Sequence, residues 1–136
     1  HCADPRFQEA FRGFVREELG IRIPMVIALP GVTSHFGMQA ALPKNWNAMK
    51  SHLQTMTERH DVGRVVIINH DDCKGYARIA CHFGGLAKIG EAQRKHLLGL
   101  AEFVRREFLP SAQFELYQAH IIGDPGQREV RFERIR

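Results

Sequence analysis

Segments of β-type and helical character alternate along this chain, and that alternation is the feature that most restricts its fold. The clearest strand is Arg64–Asn69, in which four β-branched residues follow one another. The apolar run Ile21–Leu29 is expected to be a buried strand, and Phe114–Ile122 a further strand. Strands that alternate with helices form parallel sheets with helices packed on them. The sequence therefore predicts an α/β fold with a mostly parallel sheet flanked by helices.

Three segments have helical periodicity. The first begins after Asp4 and Pro5, which form a good N-cap and first-turn pair. The second is expected at about 43–60 and the third at about 86–108, where apolar residues recur on one side. The segment between the first strand and the second helix, 32–42, is expected to be a loop because few of its residues are periodic.

The end of the chain indicates an antiparallel edge to the sheet. A turn signal, Asp124-Pro125-Gly126, separates Phe114–Ile122 from Val130–Ile135, which alternates like a strand. The two segments are therefore expected to form a hairpin with an antiparallel C-terminal edge strand. With 136 residues, of which 44% are hydrophobic, the chain is expected to form one domain over 1–136.

Composition argues against several classes of function. The formal net charge is only +4, and the basic residues are scattered among acidic ones, so nucleic-acid binding is not expected. No apolar run reaches the roughly 18 residues that span a bilayer, and no signal peptide is visible. An odd count of three cysteines favours a reducing compartment, with metal binding or burial as their use, so a cytoplasmic location is expected.

Soft metal ligands occur in two short stretches that are expected to follow strand ends. His70 and Cys73 come directly after Arg64–Asn69. Cys2 precedes a capped helix, so a strand is expected just before it. Only His1 of that strand is present, and the N-terminal segment of the domain is expected to be missing. Ligand sites in such sheets lie beyond the carboxyl ends of the strands, so the three side chains should converge if the two strands are neighbours.

Two thiolates and one imidazole are a ligand set typical of zinc. Zinc with three protein ligands usually keeps its fourth position for water or substrate, which is the arrangement of a catalytic site. A disulfide framework is not expected, because three cysteines are too few and too unevenly spaced.

The two motifs, at this order and separation, resemble those of the β-class carbonic anhydrases. Cys2–Arg6 matches the pattern Cys-x-Asp-x-Arg, and His70–Cys73 matches His-x-x-Cys. The helix end and strand at 58–68, which lead into the second motif, are similar to that family as well. So is the segment Tyr117–Ile122 with the turn and strand that follow it. The likeness extends over essentially the whole chain.

The resemblance implies that Cys2, His70 and Cys73 hold a Zn²⁺ ion. It implies a lyase that reversibly hydrates carbon dioxide to bicarbonate, with zinc-bound hydroxide as the nucleophile. Asp4 would accept the hydrogen bond from that hydroxide, or would bind the metal in a closed resting form. Arg6 would pair with Asp4 and draw it off the metal. The family also implies a homodimer or larger homo-oligomer in which the partner subunit lines part of the cleft.

Two departures from the family pattern bear on the substrate pocket. Lys74 stands where the family usually has a glycine, and the strand predicted at Ile21–Leu29 ends in Leu29-Pro30-Gly31-Val32 instead of an Arg-Asn-Ala-Gly type of stretch. Two alternatives therefore stay open. One is a hydrolase of carbonyl sulfide or carbon disulfide on the same scaffold. The other is a non-catalytic zinc-binding module with a permanent fourth ligand, either Asp4 or Cys81.

Three further side chains have chemistry that such a site could use. His35 and Tyr76 fall in predicted loops that could face the cleft, where either could relay protons. Loop residues of this kind are more often simple polar groups. Cys81 is expected to pack in the interior and not to extend the metal site.

Overall fold

The fold of this chain was described from a computed structural model, which covers residues 1–124 and 128–136. Its α-helices are α1 (Gln8–Gly13), α2 (Val32–Gly37), α3 (Pro43–Arg59), α4 (Lys74–Ala77) and α5 (Ile89–Glu107). Its strands are β1 (Arg64–His70), β2 (Gln113–Ile122) and β3 (Glu129–Ile135). The turn predicted at Asp124-Pro125-Gly126 lies outside the described residues, apart from Asp124. None of the described helices is both long enough and apolar enough to cross a membrane.

The three strands form one sheet in the order β1-β2-β3. β1 and β2 run parallel, with Arg64 opposite Gln113 and His70 opposite Ala119. β2 and β3 run antiparallel. The mixed α/β class and the antiparallel C-terminal edge strand are therefore confirmed. The sheet of the described residues, however, has one parallel and one antiparallel pairing and is not mostly parallel.

Helices pack on both faces of this sheet because successive residues of a strand point to opposite sides. Ile67 belongs to a core cluster that also contains Trp46 of α3 and Leu97 of α5. Its neighbour Ile68 belongs to a second cluster, built around the three aromatic rings Phe7, Phe11 and Phe14.

The helical segment after Cys2 begins as the sequence predicts. Asp4 is the N-cap, and its Oδ1 accepts a hydrogen bond of 3.0 Å from the backbone N–H of Arg6. A 3₁₀ turn, Pro5–Phe7, leads into α1, and a π-helical turn, Phe14–Glu18, follows it. The cap therefore turns the chain directly after Cys2 and places the next aromatic residues against the sheet.

The segment Ile21–Leu29 is not a strand of the sheet, so that prediction is wrong. It bends at 22–23 and is largely exposed, and Ile23 is 93% exposed. Ladder-like pairing is confined to its end, where three backbone hydrogen bonds join 27–29 to 1–3 with the spacing of a parallel ladder. Among the described residues no strand lies between this segment and β1. Pro24 cannot donate a ladder hydrogen bond, which further disfavours pairing.

The loop predicted at 32–42 contains helix α2 instead. α2 is short and includes Thr, Ser and Gly, residues of low helix propensity, so no helical period is visible in the sequence. It forms because it packs on α5. A Cβ atom at Gly99 would lie 2.5 Å from the ring of Phe36, and one at Gly37 would lie 2.2 Å from the ring of His96. The close approach of the two helices depends on these glycines.

Candidate metal centre

Cys2, His70 and Cys73 meet at the carboxyl end of β1. Their ligand atoms all lie within 4.8 Å of one another, although Cys2 and Cys73 are 71 residues apart. All three side chains are buried, with at most 4% of each residue exposed. His70 is the last residue of β1, and Cys73 immediately precedes α4. The structure thus brings together the three side chains that the sequence singles out.

The spacing of the two sulfurs suits a tetrahedral zinc ion. Two thiolates at about 2.3 Å from a tetrahedral zinc lie about 3.8 Å apart. The Sγ atoms of Cys2 and Cys73 are 3.8 Å apart, a separation too long for a disulfide. Among the described residues this is the one cluster of at least three histidine, cysteine or acidic side chains close enough to share an ion.

The imidazole of His70 is oriented so that one nitrogen is free to bind a metal. Its Nδ1 lies 2.6 Å from the carbonyl oxygen of Asp71, which can only accept a hydrogen bond, so Nδ1 carries the proton. The buried Nε2 has no hydrogen-bond partner among the described residues. A ring–ring contact with Phe7, at 4.2 Å between centroids, further fixes the ring. Orientation of a ligating histidine by a carbonyl is the usual arrangement at zinc sites.

Backbone N–H groups surround the two sulfurs. The amide of Gly31 donates to Cys2 Sγ at 3.3 Å, and the amide of Asp4 also donates to it. The amides of Tyr76 and Gly75 donate to Cys73. Donors of this kind stabilise a thiolate relative to a thiol.

The contact between the two sulfurs shifts their pKa values in opposite directions. The pKa of Cys2 is lowered, first because Cys73 donates a hydrogen bond to it. The pKa of Cys73 is raised, first by that same hydrogen bond and then by burial. Two buried sulfurs at this separation repel each other once both are ionised, and a divalent cation bound between them would remove that repulsion.

Two glycines allow the segments beside the ligands to touch. A Cβ atom at Gly75 would lie 2.7 Å from the amide nitrogen of Gly31 and 2.8 Å from the carbonyl carbon of Pro30. Gly31 has a positive φ of 59°, a conformation that glycine adopts readily. The approach brings the Gly31 amide to Cys2 and explains the glycine two residues after Cys73, despite the intervening Lys74.

The predicted pair of Asp4 and Arg6 is present beside the cluster. The guanidinium Nη2 of Arg6 donates to Asp4 Oδ2 at 2.8 Å, and its Nε donates to Oδ1 at 3.0 Å. The side chain of Asp4 is 10% exposed and that of Arg6 is 36% exposed. The pKa of Asp4 is lowered, mainly by the hydrogen bond from Arg6, so the carboxyl stays ionised at neutral pH.

Sequence reasoning missed a second partner of Arg6. Its Nη1 donates to Asp72 Oδ2 at 2.8 Å, and its Nη2 donates to the Asp72 carbonyl oxygen at 3.1 Å. An acidic residue between His70 and Cys73 was the available signal. Asp72 can pair with Arg6 only because the fold brings together two segments that are 66 residues apart, and no local pattern predicts that contact.

Three other predicted candidates contribute no side-chain ligand to the cluster. Tyr76 is fully buried, and its hydroxyl hydrogen-bonds to Thr33 Oγ1 at 2.7 Å and to His96 Nδ1 at 3.0 Å. His35 is also buried, and burial lowers its pKa. Cys81 is exposed, so the expectation that it packs in the interior is wrong. It does not belong to the metal-binding cluster.

Comparison with known proteins identifies one family. Residues 1–96 match a family model described as "Putative carbonic anhydrase". The matched range contains both ligand-bearing segments, whereas β2 and β3 lie beyond it. No curated protein and no solved structure matches the chain.

Proposed function

Because the chain belongs to this carbonic anhydrase family, we propose that it is a zinc-dependent lyase that reversibly hydrates carbon dioxide to bicarbonate and a proton. The proposed ligands are Cys2, His70 and Cys73, and the proposed catalytic pair is Asp4 with Arg6. The observation that carries the proposal is the meeting of two sulfurs and an unpartnered imidazole nitrogen within 4.8 Å in a chain of this family.

A zinc ion bound there would act as a Lewis acid that brings the pKa of a coordinated water to about 7. Two thiolates and a neutral imidazole balance the charge of the ion. Two thiolates and an imidazole lower the pKa of a coordinated water less than three histidines do, so hydrogen-bond donors around the ligands are needed to lower it further. The amides of Gly31 and Asp4 are such donors, because their hydrogen bonds to Cys2 draw charge from the sulfur.

Asp4 is suited to orient the attacking solvent. An ionised carboxylate only accepts hydrogen bonds. Asp4 would therefore accept a hydrogen bond from the attacking solvent molecule, which would direct a lone pair of the solvent oxygen at the carbon of carbon dioxide. Arg6 keeps the carboxylate ionised and fixes its plane through two nitrogens. This division of roles requires Asp4 to pair with Arg6 and not to bind the metal, and the two hydrogen bonds between these side chains support it.

The burial of the site supports a very small substrate. The residues Cys2, His70 and Cys73 are each at most 4% exposed, so a molecule that reaches them must consist of a few atoms. Carbon dioxide meets that requirement, and so does carbonyl sulfide. The Pro30-Gly31 stretch, where the chain departs from the usual family sequence, contacts the site through the Gly31 amide.

The test compares two substitutions of Asp4 in zinc-loaded protein by stopped-flow hydration of carbon dioxide. Asp4→Asn keeps a good N-cap but loses the charge, so we expect turnover to fall by about tenfold or more with the zinc content unchanged. Asp4→Ala also loses the cap, and we expect a further loss of about 1 kcal/mol in unfolding free energy.

Other outcomes would contradict the proposal. Stoichiometric zinc without hydration, together with release of hydrogen sulfide from carbonyl sulfide, would identify a hydrolase on this scaffold. If Asp4→Asn changed only stability or zinc content and the wild type turned over neither substrate, the zinc would be structural and the domain a binding module.

We also propose that the protein assembles as a homodimer or larger homo-oligomer, as expected for the family. Multi-angle light scattering of the zinc-loaded protein measures this directly. A mass of one chain, 15.5 kDa, at micromolar concentration would contradict it.

A further inference from the structure

Every nitrogen of the Arg6 guanidinium is used, and the contacts divide between two segments. Nε and Nη2 bind the carboxylate of Asp4. Nη1 binds Asp72 Oδ2 at 2.8 Å and has no other hydrogen-bond partner among the described residues. Nη2 also binds the Asp72 carbonyl oxygen at 3.1 Å. Arg6 therefore joins the segment that carries Cys2 to the segment that carries His70 and Cys73.

Asp72 has an unusual backbone conformation that makes this contact possible. Its φ is 51°, the one positive φ at a non-glycine residue in the described chain. Aspartate tolerates the left-handed region better than most residues, but the conformation is still unfavourable. In it, the carboxylate and the carbonyl of one residue both reach the same guanidinium.

From this geometry we propose that Asp72 is a positioning residue. It holds Arg6, and Arg6 in turn holds the Asp4 carboxylate away from the metal. The inference rests on the proposed function, because it assigns Asp72 a part in the same site. Asp72 and Asp4 use different edges of the guanidinium, so they do not compete for one position. Without Asp72, Nη1 loses its partner and the partly exposed Arg6 side chain is free to turn to water.

The consequence is a change in what occupies the fourth position on the metal. Asp4 lies two residues from Cys2, and its amide already contacts the Cys2 sulfur. Once its pairing with Arg6 is weakened, the carboxylate can bind the metal itself and compete with an added anion. Loss of Asp72 should therefore close the site without removing any of the three ligands.

The experiment uses cobalt-substituted protein and measures azide affinity by visible absorption. We expect Asp72→Ala to weaken azide binding by about fivefold, the upper size of effect for a partly exposed ion pair, and to slow metal loss to a chelator. Asp72→Asn should lie between this variant and the wild type, because its amide oxygen still accepts from Nη1 and asparagine tolerates a positive φ.

Two further variants separate positioning from a general surface effect. The side chain of Glu102 is 65% exposed and pairs with Arg105 at 3.0 Å, and that of Asp72 is similarly exposed, at 58%. Glu102→Ala therefore removes a comparable carboxylate outside the ligand cluster and should not change azide affinity. Adding Asp4→Asn to Asp72→Ala should restore azide affinity, since the competing carboxylate is gone.

The outcomes are distinguishable from a failure of the proposed reaction, because none of these measurements requires turnover. Unchanged azide affinity in Asp72→Ala would overturn the inference, and so would a loss that persists in the double variant. If the Asp72 effect appears in a protein that does not hydrate carbon dioxide, the positioning role stands and the proposed reaction falls. If the wild type binds neither cobalt nor zinc, both fall.

Discussion

Two regions beside β1 differ sharply in how they are held. At its carboxyl end, the ligand cluster is buried, and backbone amides contact both of its sulfurs. Along its unpaired side, the apolar segment 21–26 is mostly exposed and makes no ladder with β1. The ligand-bearing segments contain charged residues such as Asp4 and Asp72, whereas 21–26 is mostly apolar, so burial here does not follow hydrophobicity. The difference is that the cluster's polar groups have partners within the fold, whereas the segment lacks a neighbouring strand.

The comparison shows that apolar sequence alone does not bury a strand. A strand is buried when its side chains meet other elements and its backbone groups find hydrogen-bond partners, as those of β1 do with β2. The cluster has such partners within short reach, because the capped turn after Cys2 and the turn before Cys73 fold back on the same strand end. The segment 21–26 would be buried only if a neighbouring strand paired with it.

The largest expected effect is at the ligands. Cys73→Ser should lower bound zinc from about one to less than about 0.1 per chain, because a three-ligand site with one weak donor holds zinc far less tightly. Zinc content is measured by atomic spectroscopy after dialysis. Cys81→Ser is the control and should retain full zinc, since Cys81 is exposed and outside the cluster. The reverse pattern would mean that the wrong sulfur has been identified.

The next effect concerns the close approach of the two segments at the cluster. Gly75→Ala should lower the unfolding free energy by about 4 kcal/mol, because its Cβ would meet backbone atoms at 2.7 and 2.8 Å that cannot move independently. Urea denaturation measures it. Gly90→Ala adds the same methyl group in α5, with nothing within 4 Å, and should be neutral or slightly stabilising. Equal effects of the two substitutions would show that the approach is not tight.

A matched pair of isoleucines tests the contrast between the two regions directly. Ile68→Ala in β1 should cost about 3 kcal/mol of unfolding free energy, because the side chain is fully buried. Ile23→Ala should change it by less than about 0.5 kcal/mol, because the residue is 93% exposed. Urea denaturation of both variants measures the two losses of unfolding free energy. A large loss at Ile23 would mean that 21–26 is covered in solution and that the contrast does not hold.

The smallest effect is at the outer rim of the cluster, where His120 lies between two carboxylates. Its Nδ1 is 2.7 Å from Asp71 and its Nε2 is 3.1 Å from Glu133. Partial burial would lower its pKa, but the hydrogen bonds and charges of these carboxylates outweigh burial, and the pKa is raised.

A raised pKa in the folded state stabilises the protein fully below the unfolded value of about 6.5, and the contribution is lost as the pH rises through the folded-state value. His120→Gln should therefore lower the unfolding free energy by less than about 1 kcal/mol at pH 6, and by less still at pH 9. Thermal unfolding at the two pH values measures the difference. A larger loss at pH 9 than at pH 6 would show that the histidine is not protonated between these carboxylates.

Much of the site could be predicted from the sequence because its ligands belong to local patterns. Cys2 stands just before a capped helix, and His70 ends the most strongly β-branched run in the chain. Such positions are set by short-range preferences, namely capping, helical period and strand ends. The long helix, the two C-terminal strands and the antiparallel edge follow from the same kind of pattern and are observed.

The remaining features depend on contacts between distant residues, and for that reason only the tertiary structure decided them. Helix α2 forms because α5 lies against it, and the segment 21–26 stays unpaired because no described strand adjoins it. The link from Arg6 to Asp72 needs a left-handed residue and two segments 66 positions apart. Local sequence determined which side chains carry the chemistry. Long-range packing decided how they are held, because its free energy arises only once the distant partners have met.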